Sequence, residues 1–154
     1  MITIRLAKPG ELGIVRKIFG NSFSVDKGTK PFNYFISFLT ENRIKHGEII
    51  LGFDDKKPIG FCSVYYKPII FTLAAYLDEI AVIKEYQRKG VGELLINKIL
   101  KVLKAKGVRR VFSDTWPENK KSINFHKKMG FKYCGKIARS DSENADFIFF
   151  SRKP

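Results

Sequence analysis

Cysteine and histidine are scarce in this chain of 154 residues. It contains two of each, and Cys62 and Cys134 stand far apart, outside any CxxC spacing. Zinc sites built from these two residue types are therefore excluded, and we predict that no metal is bound. A chain of this length buries about two thirds of the surface of its unfolded state, so it needs no disulfide framework to fold.

Long apolar runs are also missing. The longest nearly apolar stretch covers residues 68–77 and falls well short of the roughly 20 residues that a membrane-spanning helix requires. The first eight residues lack the apolar core of a signal peptide. We therefore expect a cytoplasmic protein that has no membrane partner.

Negative charge is underrepresented. The chain has 29 Lys and Arg residues but only 15 Asp and Glu residues, which gives a formal net charge of +14. Such a charge favours anionic partners such as phosphorylated cofactors, nucleic acid or acidic surfaces. With 44% hydrophobic and 29% charged residues, the composition is typical of a folded domain. No repeat or Pro/Gly-rich linker divides the chain, so we predict one domain over residues 1–154.

Hydrophobic periodicity predicts an α/β fold in which a mixed central sheet of about seven strands is flanked by about four helices on both faces. Patterns typical of strands occur over residues 2–6, 48–53, 59–66, 73–83, 108–114, 131–137 and 147–150. Patterns typical of helices occur over residues 11–23, 31–46, 91–107 and 119–129.

The segment between the third long strand and the most apolar helix carries the clearest chemical signal. It consists of Gln87, Arg88, Lys89, Gly90, Val91 and Gly92. The first N–H groups of a helix have no intrahelical partner, and glycines let a ligand approach the backbone, so this pattern predicts a pyrophosphate cradle. The alternative is a plain helix cap whose glycines serve turn geometry. Neither the dinucleotide pattern GxGxxG nor the phosphate-loop pattern GxxxxGK[ST] is present.

Two stretches resemble motifs of the GCN5-related N-acetyltransferase (GNAT) superfamily. Residues 80–92, followed by a leucine-rich helix, are similar to the motif in which a Q/R-x-x-G-x-G/A loop holds the pyrophosphate of coenzyme A. Residues 119–131 are similar to the motif N-x-x-A/S-x-x-F-Y-x-K-x-G-F. The resemblance covers about residues 2–137 and implies a GNAT-like fold with acetyl-CoA as the cosubstrate.

The resemblance also implies which residues would hold acetyl-CoA. Backbone groups of Ile80, Ala81 and Val82 would bind its pantetheine arm, and residues 87–92 would bind its pyrophosphate. Asn119 would hydrogen-bond the arm from the following helix. An ordinary helix N-cap is the alternative for Asn119, and the two roles are compatible.

Acetyl transfer to an amine benefits from a base, because an alkyl ammonium with a pKa of about 10.4 is protonated at neutral pH. Asp78 and Glu79 are the only carboxylates on the strand beside the expected acetyl site. Adjacent strand residues point to opposite faces, so we expect only one of them to face the cleft directly. We predict Glu79 as the base and Asp78 as a substrate contact. The alternative is a surface ion pair.

His126 stands where the family commonly has a tyrosine that protonates the departing thiolate. An imidazolium can also give up a proton, so we predict His126 as the general acid. The alternative is a polar residue on a half-exposed helix, with water or Tyr133 as the acid. Phe35 is predicted to border the acceptor substrate, although packing within the second helix is the simpler alternative for its aromatic cluster.

The sequence thus predicts an acetyl-CoA-dependent N-acetyltransferase in which a primary amine attacks the thioester directly within a ternary complex. The acceptor, an amine of a small molecule or of a protein or peptide, is left open, and a homodimer is compatible with the sequence. One alternative is a non-catalytic acyl-CoA-binding protein. Another is a basic nucleic-acid-binding domain, which no helix-turn-helix, zinc finger or RNP-like motif supports.

Overall fold

A computed structural model describes residues 1–23, 46–69, 72–138 and 146–154 of the chain. The strands within these ranges are β1 (Ile2–Leu6), β2 (Gly47–Asp54), β3 (Lys57–Ile69), β4 (Thr72–Val82), β5 (Arg110–Thr115), β6 (Lys132–Ile137) and β7 (Phe147–Arg152). The α-helices are α1 (Leu12–Phe23), α2 (Val91–Ala105) and α3 (Lys120–Lys128). A short 3-10 helix, Lys84–Tyr86, leads from β4 towards α2.

The predicted α/β class with seven strands is confirmed. The described residues contain three α-helices where about four were predicted. The remaining one, predicted over residues 31–46, falls almost entirely on residues outside the described ranges. Within the described ranges, none of the helices combines the length and the apolar character needed to cross a membrane.

All seven strands belong to one sheet, in the order β1-β2-β3-β4-β5-β7-β6. Every neighbouring pair is antiparallel except β4 and β5, which run parallel. Parallel neighbours need a crossover connection, and α2 provides it. The predicted hairpin between the second and third strands is present, with Asp55 in the left-handed conformation of a tight turn (φ 49°).

Helices α2 and α3 cover one face of the sheet. A side chain added at Gly60 of β3 would come within 3.1 Å of Leu95, so this face of β3 lies directly under α2. A side chain added at Gly92 of α2 would come within 3.4 Å of the Phe125 ring, which places α3 beside α2. Helix α2 ends at Ala105, and Gly107, two residues later, has a φ of +76° that suits glycine, as the sequence pattern predicts.

Helix α1 covers the opposite face. Because side chains alternate along a strand, Phe61 points away from α2, and it is completely buried. Helix α1 packs against β3 and β4, with Val15 and Ile18 buried in the same core. The sheet is therefore covered on both faces, as predicted.

A β-bulge interrupts the pairing of β3 and β4. Ser63 pairs with Glu79, but the next residue, Val64, pairs with Leu77, so Asp78 is an extra residue in β4. A bulge bends its strand and increases the local twist. This bend lies close to the point at which β4 leaves β5.

Candidate functional site

The site lies where β4 and β5 separate. The two strands pair only over Ala74–Tyr76 and Arg110–Phe112. Beyond that point β4 continues alongside β3, while β5 continues alongside β7. The gap opens into a cleft of about 800 Å³. Strand edges that face each other across a gap can hydrogen-bond an extended ligand.

The backbone of β4 alternates between its neighbour and the cleft. The N–H of Ile83 donates to a carbonyl of β3, so Ala81, two residues earlier, also turns its backbone groups towards β3. Ile80 and Val82 turn theirs towards the cleft, which both residues line. The carbonyl of Val82 accepts a hydrogen bond of 3.0 Å from Nε2 of Gln87. Of the three predicted backbone contacts, Ile80 and Val82 thus border the cleft.

The start of α2 has the geometry of an anion cradle. Arg88 and Gly90 have φ values of +60° and +81°, so two left-handed residues flank Lys89. Successive N–H groups in such a turn point into a common concavity. Gly90 is the N-cap of α2, and no side chain in the described parts of the chain caps it. The open N–H groups and the helix dipole therefore favour an anion here.

The surroundings of Gly92 differ from those of Gly90. A β-carbon at Gly92 would lie 3.4 Å from the ring of Phe125 and 3.7 Å from Cδ1 of Ile80. Both distances are ordinary van der Waals contacts, so α3 packs directly against α2 and β4 at this position. A β-carbon at Gly90 would meet nothing in the described chain within 4 Å, so its backbone conformation is what requires glycine.

The expectation that only one of Asp78 and Glu79 faces the cleft is wrong, because both line it. The bulge at Asp78 breaks the strand alternation on which the expectation rested. The cleft also passes through the sheet, so residues on either face of β4 can border it. Oδ2 of Asp78 is buried, which makes a purely superficial ion pair a poor description of this residue.

The two faces of the cleft carry different side chains. Ile80 points towards α2, so its neighbour Glu79 points to the face that α1 covers. On β5, Ser113 hydrogen-bonds His126 of α3, so its neighbour Asp114 also points to the α1 face. The α1 face of the cleft therefore presents two carboxylates.

Asp114 and Tyr76 were missed at the level of the sequence. The hydroxyl of Tyr76 donates a hydrogen bond to Oδ1 of Asp114 just where the strands part, and its ring lies 5.2 Å from that of Tyr65. Burial and the Asp114 carboxylate raise the pKa of Tyr76, so it remains a phenol. The polar end of the predicted fifth strand could have indicated Asp114, because ligands bind at the carboxyl ends of parallel strands.

His126 is enclosed, with only 5% of its surface exposed. Its ring stacks on Phe150 at 4.8 Å and meets Phe131 edge-on at 5.4 Å. Nδ1 lies 2.8 Å from the carbonyl oxygen of Ser122, and Nε2 lies 2.9 Å from Oγ of Ser113. Burial lowers the pKa of His126, so the neutral ring dominates at pH 7.

Residues 13–131 match the acetyltransferase (GNAT) family. The chain belongs to the GNAT family. Over 60 residues it is 30% identical to N-alpha-acetyltransferase 30 of Schizosaccharomyces pombe, a match that spans 39% of this chain and only 40% of that protein. Over 125 residues it is 26% identical to the N-alpha-acetyltransferase of Sulfurisphaera tokodaii, spanning 75% of this chain and 74% of the relative.

The fold comparison agrees with this assignment. The crystal structure of Arabidopsis thaliana NAA60 in complex with acetyl-CoA superposes on this GNAT protein with a TM-score of 0.79. The superposition covers 99% of this chain and 98% of the plant chain, at 17% sequence identity. At that identity the likeness shows a shared fold.

The remaining predicted site residues of this GNAT protein differ in how they are placed. Asn119 is the N-cap of α3, where its Oδ1 accepts a 3.1 Å hydrogen bond from the N–H of Ser122, and it also lines the cleft. Tyr133 is 62% exposed on β6 and is not among the described cleft-lining residues. Phe35 lies outside the described residues.

Charge in the cleft differs from that of the whole GNAT chain. The charged residues lining the described cleft, His126 aside, are Asp78, Glu79, Glu93, Asp114, Arg88 and Lys121. Glu93 is ion-paired with Lys128, so Asp78, Glu79 and Asp114 carry the excess of negative charge over the two cations, inside a chain whose formal charge is +14. The cleft can therefore attract a cationic group that the outer surface would repel.

Proposed function

We propose that this GNAT protein is an acetyl-CoA-dependent N-acetyltransferase that acetylates a primary amine by direct attack in a ternary complex. The observation that carries the proposal is that β4 and β5 part next to the start of α2, where no described side chain caps the helix and Arg88 and Gly90 have positive φ. The open strand edge can bind an extended arm, and the anion cradle beside it can bind a diphosphate. Acetyl-CoA has both parts. Family membership supplies the reaction class.

The residues on the α2 and α3 side fit the cosubstrate. Residues 87–92 bind the diphosphate through open N–H groups, and the exposed side chains of Arg88 and Lys89 add positive charge. Ile80 and Val82 offer backbone groups to the pantetheine arm. Oδ1 of Asn119 accepts the hydrogen bond that caps α3, so its Nδ2 can donate to the pantetheine arm. Bound acetyl-CoA would supply an activated acetyl thioester.

The residues on the α1 side fit the amine. Glu79 acts as the base that removes a proton from the acceptor ammonium, and Asp78 contacts the substrate. Asp114, held by Tyr76, adds negative charge on the face of Glu79. Holding the amine beside the thioester removes much of the entropic barrier to the reaction.

The predicted proton donor for the departing thiolate is His126, and Tyr133 is one alternative to it. His126 lines the cleft but is neutral and enclosed, and Tyr133 is exposed outside the lining. Water within the cleft is the third source that the sequence analysis left open.

The first acceptor class to test is the α-amine of a peptide. Two relatives are named N-alpha-acetyltransferases, and the carboxylates on the α1 face suit a terminal ammonium. A small-molecule amine is the other outcome of the same experiment.

The experiment is a product assay with labelled acetyl-CoA and a panel of acceptors. The panel contains peptides with free N-termini, the same peptides with blocked N-termini and an internal lysine, amino acids, aminoglycosides and polyamines. We expect label on the free-terminus peptides, and no label on the blocked ones. Label on another member would reassign the acceptor. Saturable binding of acetyl-CoA with no product from any member would support the non-catalytic acyl-CoA-binding alternative.

A further inference from the structure

A buried hydrogen-bonded chain runs from α3 to β5, and the proposed function does not explain it. It begins at the backbone carbonyl of Ser122, passes through both ring nitrogens of His126 and ends at the hydroxyl of Ser113. Ser113 is 4% exposed and lines the cleft. A polar chain enclosed in this way specifies a unique arrangement only if every member is satisfied.

The donors and acceptors in this chain can be assigned from chemistry. A carbonyl oxygen only accepts, so Nδ1 of His126 carries a proton and donates to the carbonyl of Ser122 at 2.8 Å. The Ser122 hydroxyl lies 3.3 Å from the same nitrogen and, because Nδ1 is protonated, cannot donate to it. The ring of His126 stacks on Phe150 and meets Phe131 edge-on, and burial lowers its pKa. Asp114 is the charged group whose field opposes this effect of burial. In the neutral ring Nε2 has no proton and can only accept.

The orientation of the Ser113 hydroxyl follows from this assignment. Its single proton is donated to Nε2 of His126 over 2.9 Å, so only oxygen lone pairs remain for the cleft. A ligand atom that meets Ser113 must therefore be a donor. Asn119, which also lines the cleft, offers the opposite polarity, because its Nδ2 donates. One acceptor and one donor are what an amide group requires.

We infer that Ser113 accepts a hydrogen bond from an amide N–H of the pantetheine arm of acetyl-CoA. This inference rests on the proposed function. His126 is then a positioning residue that holds the Ser113 hydroxyl in its accepting orientation. This assigns His126 a role other than the predicted proton donor, because its one ring proton points to Ser122, away from Ser113.

The first test measures binding by calorimetry and needs no acceptor. The two ligands are acetyl-CoA and adenosine 3′-phosphate 5′-diphosphate, which has the phosphates of CoA but no amide. In the variant Ser113→Ala we expect the Kd for acetyl-CoA to rise about three- to tenfold, the loss of one hydrogen bond. The Kd for the nucleotide should stay the same. Ser151→Ala on β7, outside the described lining, is the matched control and should change neither.

Two results of this test would overturn the inference. One is an unchanged Kd for acetyl-CoA in Ser113→Ala. The other is an equal loss of affinity for both ligands, which would mean that Ser113 only supports the structure. If the unsubstituted protein binds neither ligand, it is the proposed function that fails.

The second test determines the orientation of the Ser113 hydroxyl from the tautomer of His126. It uses the unsubstituted protein, so it does not depend on the folding of a variant. A long-range ¹H–¹⁵N spectrum distinguishes a protonated from an unprotonated ring nitrogen of histidine. At pH 7.5 we expect Nδ1 of His126 to be protonated and Nε2 to be unprotonated. A protonated Nε2 would reverse the Ser113 hydroxyl and contradict the inference.

Discussion

Glu79 and Asp114 place negative charge on one face of a cleft in a strongly basic protein. Ile80 and Ser113, their neighbours, point to the other face, where α2 begins with open N–H groups. The two faces therefore attract ligands of opposite charge. Under the proposed function, these residues would direct an anionic cosubstrate and a cationic amine into the same cleft from different sides.

The proposed role of Glu79 as base predicts a defect in turnover. In Glu79→Gln we expect kcat to fall about 10²–10⁴-fold, the usual contribution of a general base. The Kd for acetyl-CoA should be unchanged, because the carboxylate faces away from α2. Steady-state kinetics with an active peptide and calorimetry provide the two readouts. Glu85→Gln, an exposed carboxylate outside the described cleft lining, is the matched control. A Glu79→Gln enzyme with normal kcat would eliminate Glu79 as the base.

Burial of His126 predicts how stability depends on pH. The pKa of this histidine is lowered from an ordinary value of 6.5, so around that pH the unfolded chain binds more protons than the folded one. The free energy of unfolding should therefore fall as pH decreases below about 6.5 and be insensitive to His126 above it. Thermal unfolding from pH 8 to pH 5 should show a smaller decline in His126→Phe than in the unsubstituted protein. An NMR titration gives an independent check, since a pKa above 6.5 would contradict the prediction.

At the scale of single elements, α2 offers a comparison between its two ends. Gly90 at its start and Gly107 after its end both have positive φ, and an added β-carbon would meet nothing in the described chain within 4 Å at either site. Alanine should cost about 1 kcal/mol of stability at each position, since the left-handed conformation is strained for it. Only at Gly90 would relief of this strain displace the N–H groups of the anion cradle.

We therefore expect Gly90→Ala to raise the Kd for acetyl-CoA by about tenfold or more, because hydrogen bonds to a charged group are lost. Gly107→Ala should bind acetyl-CoA normally. Calorimetry measures affinity, and denaturant unfolding verifies that the two variants lose similar stability. An equal effect of both substitutions on affinity would locate the diphosphate elsewhere.

The elements themselves could be predicted from the sequence because their signals are local. Alternation marks the strands, the leucine-rich periodicity marks α2, and the glycine-led loop marks its start. The bulge at Asp78 could not be predicted, because it depends on the register between β3 and β4. The same holds for the pairing of Tyr76 with Asp114, which joins residues of different strands. The enclosure of His126 depends on aromatic rings that follow it in β7 and before β6.

At the scale of the whole molecule, cosubstrate binding should stabilise the folded state. A ligand at 100 times its Kd adds about 2.7 kcal/mol, which raises the Tm of a protein of this size by roughly 5–10 °C. We expect acetyl-CoA to produce this shift in a thermal unfolding experiment, and acetate with free adenosine to produce none. The shift should shrink as salt is added, because screening weakens the attraction between the basic chain and the phosphates. A Tm insensitive to saturating acetyl-CoA would be incompatible with the proposed site.

The short ladder between β4 and β5 has a consequence for motion. Three residues on each strand join the β1–β4 part of the sheet, with α1, to the β5–β7 part, with α3. An extended molecule lodged in the gap would tie these parts together as an additional strand does. Amide hydrogen exchange along residues 77–82 and 113–115 should then slow markedly on addition of acetyl-CoA, while exchange in the β1–β2 pair stays constant. In such an enzyme the bound cosubstrate would join the two parts of the sheet, and its release after each turnover would separate them again.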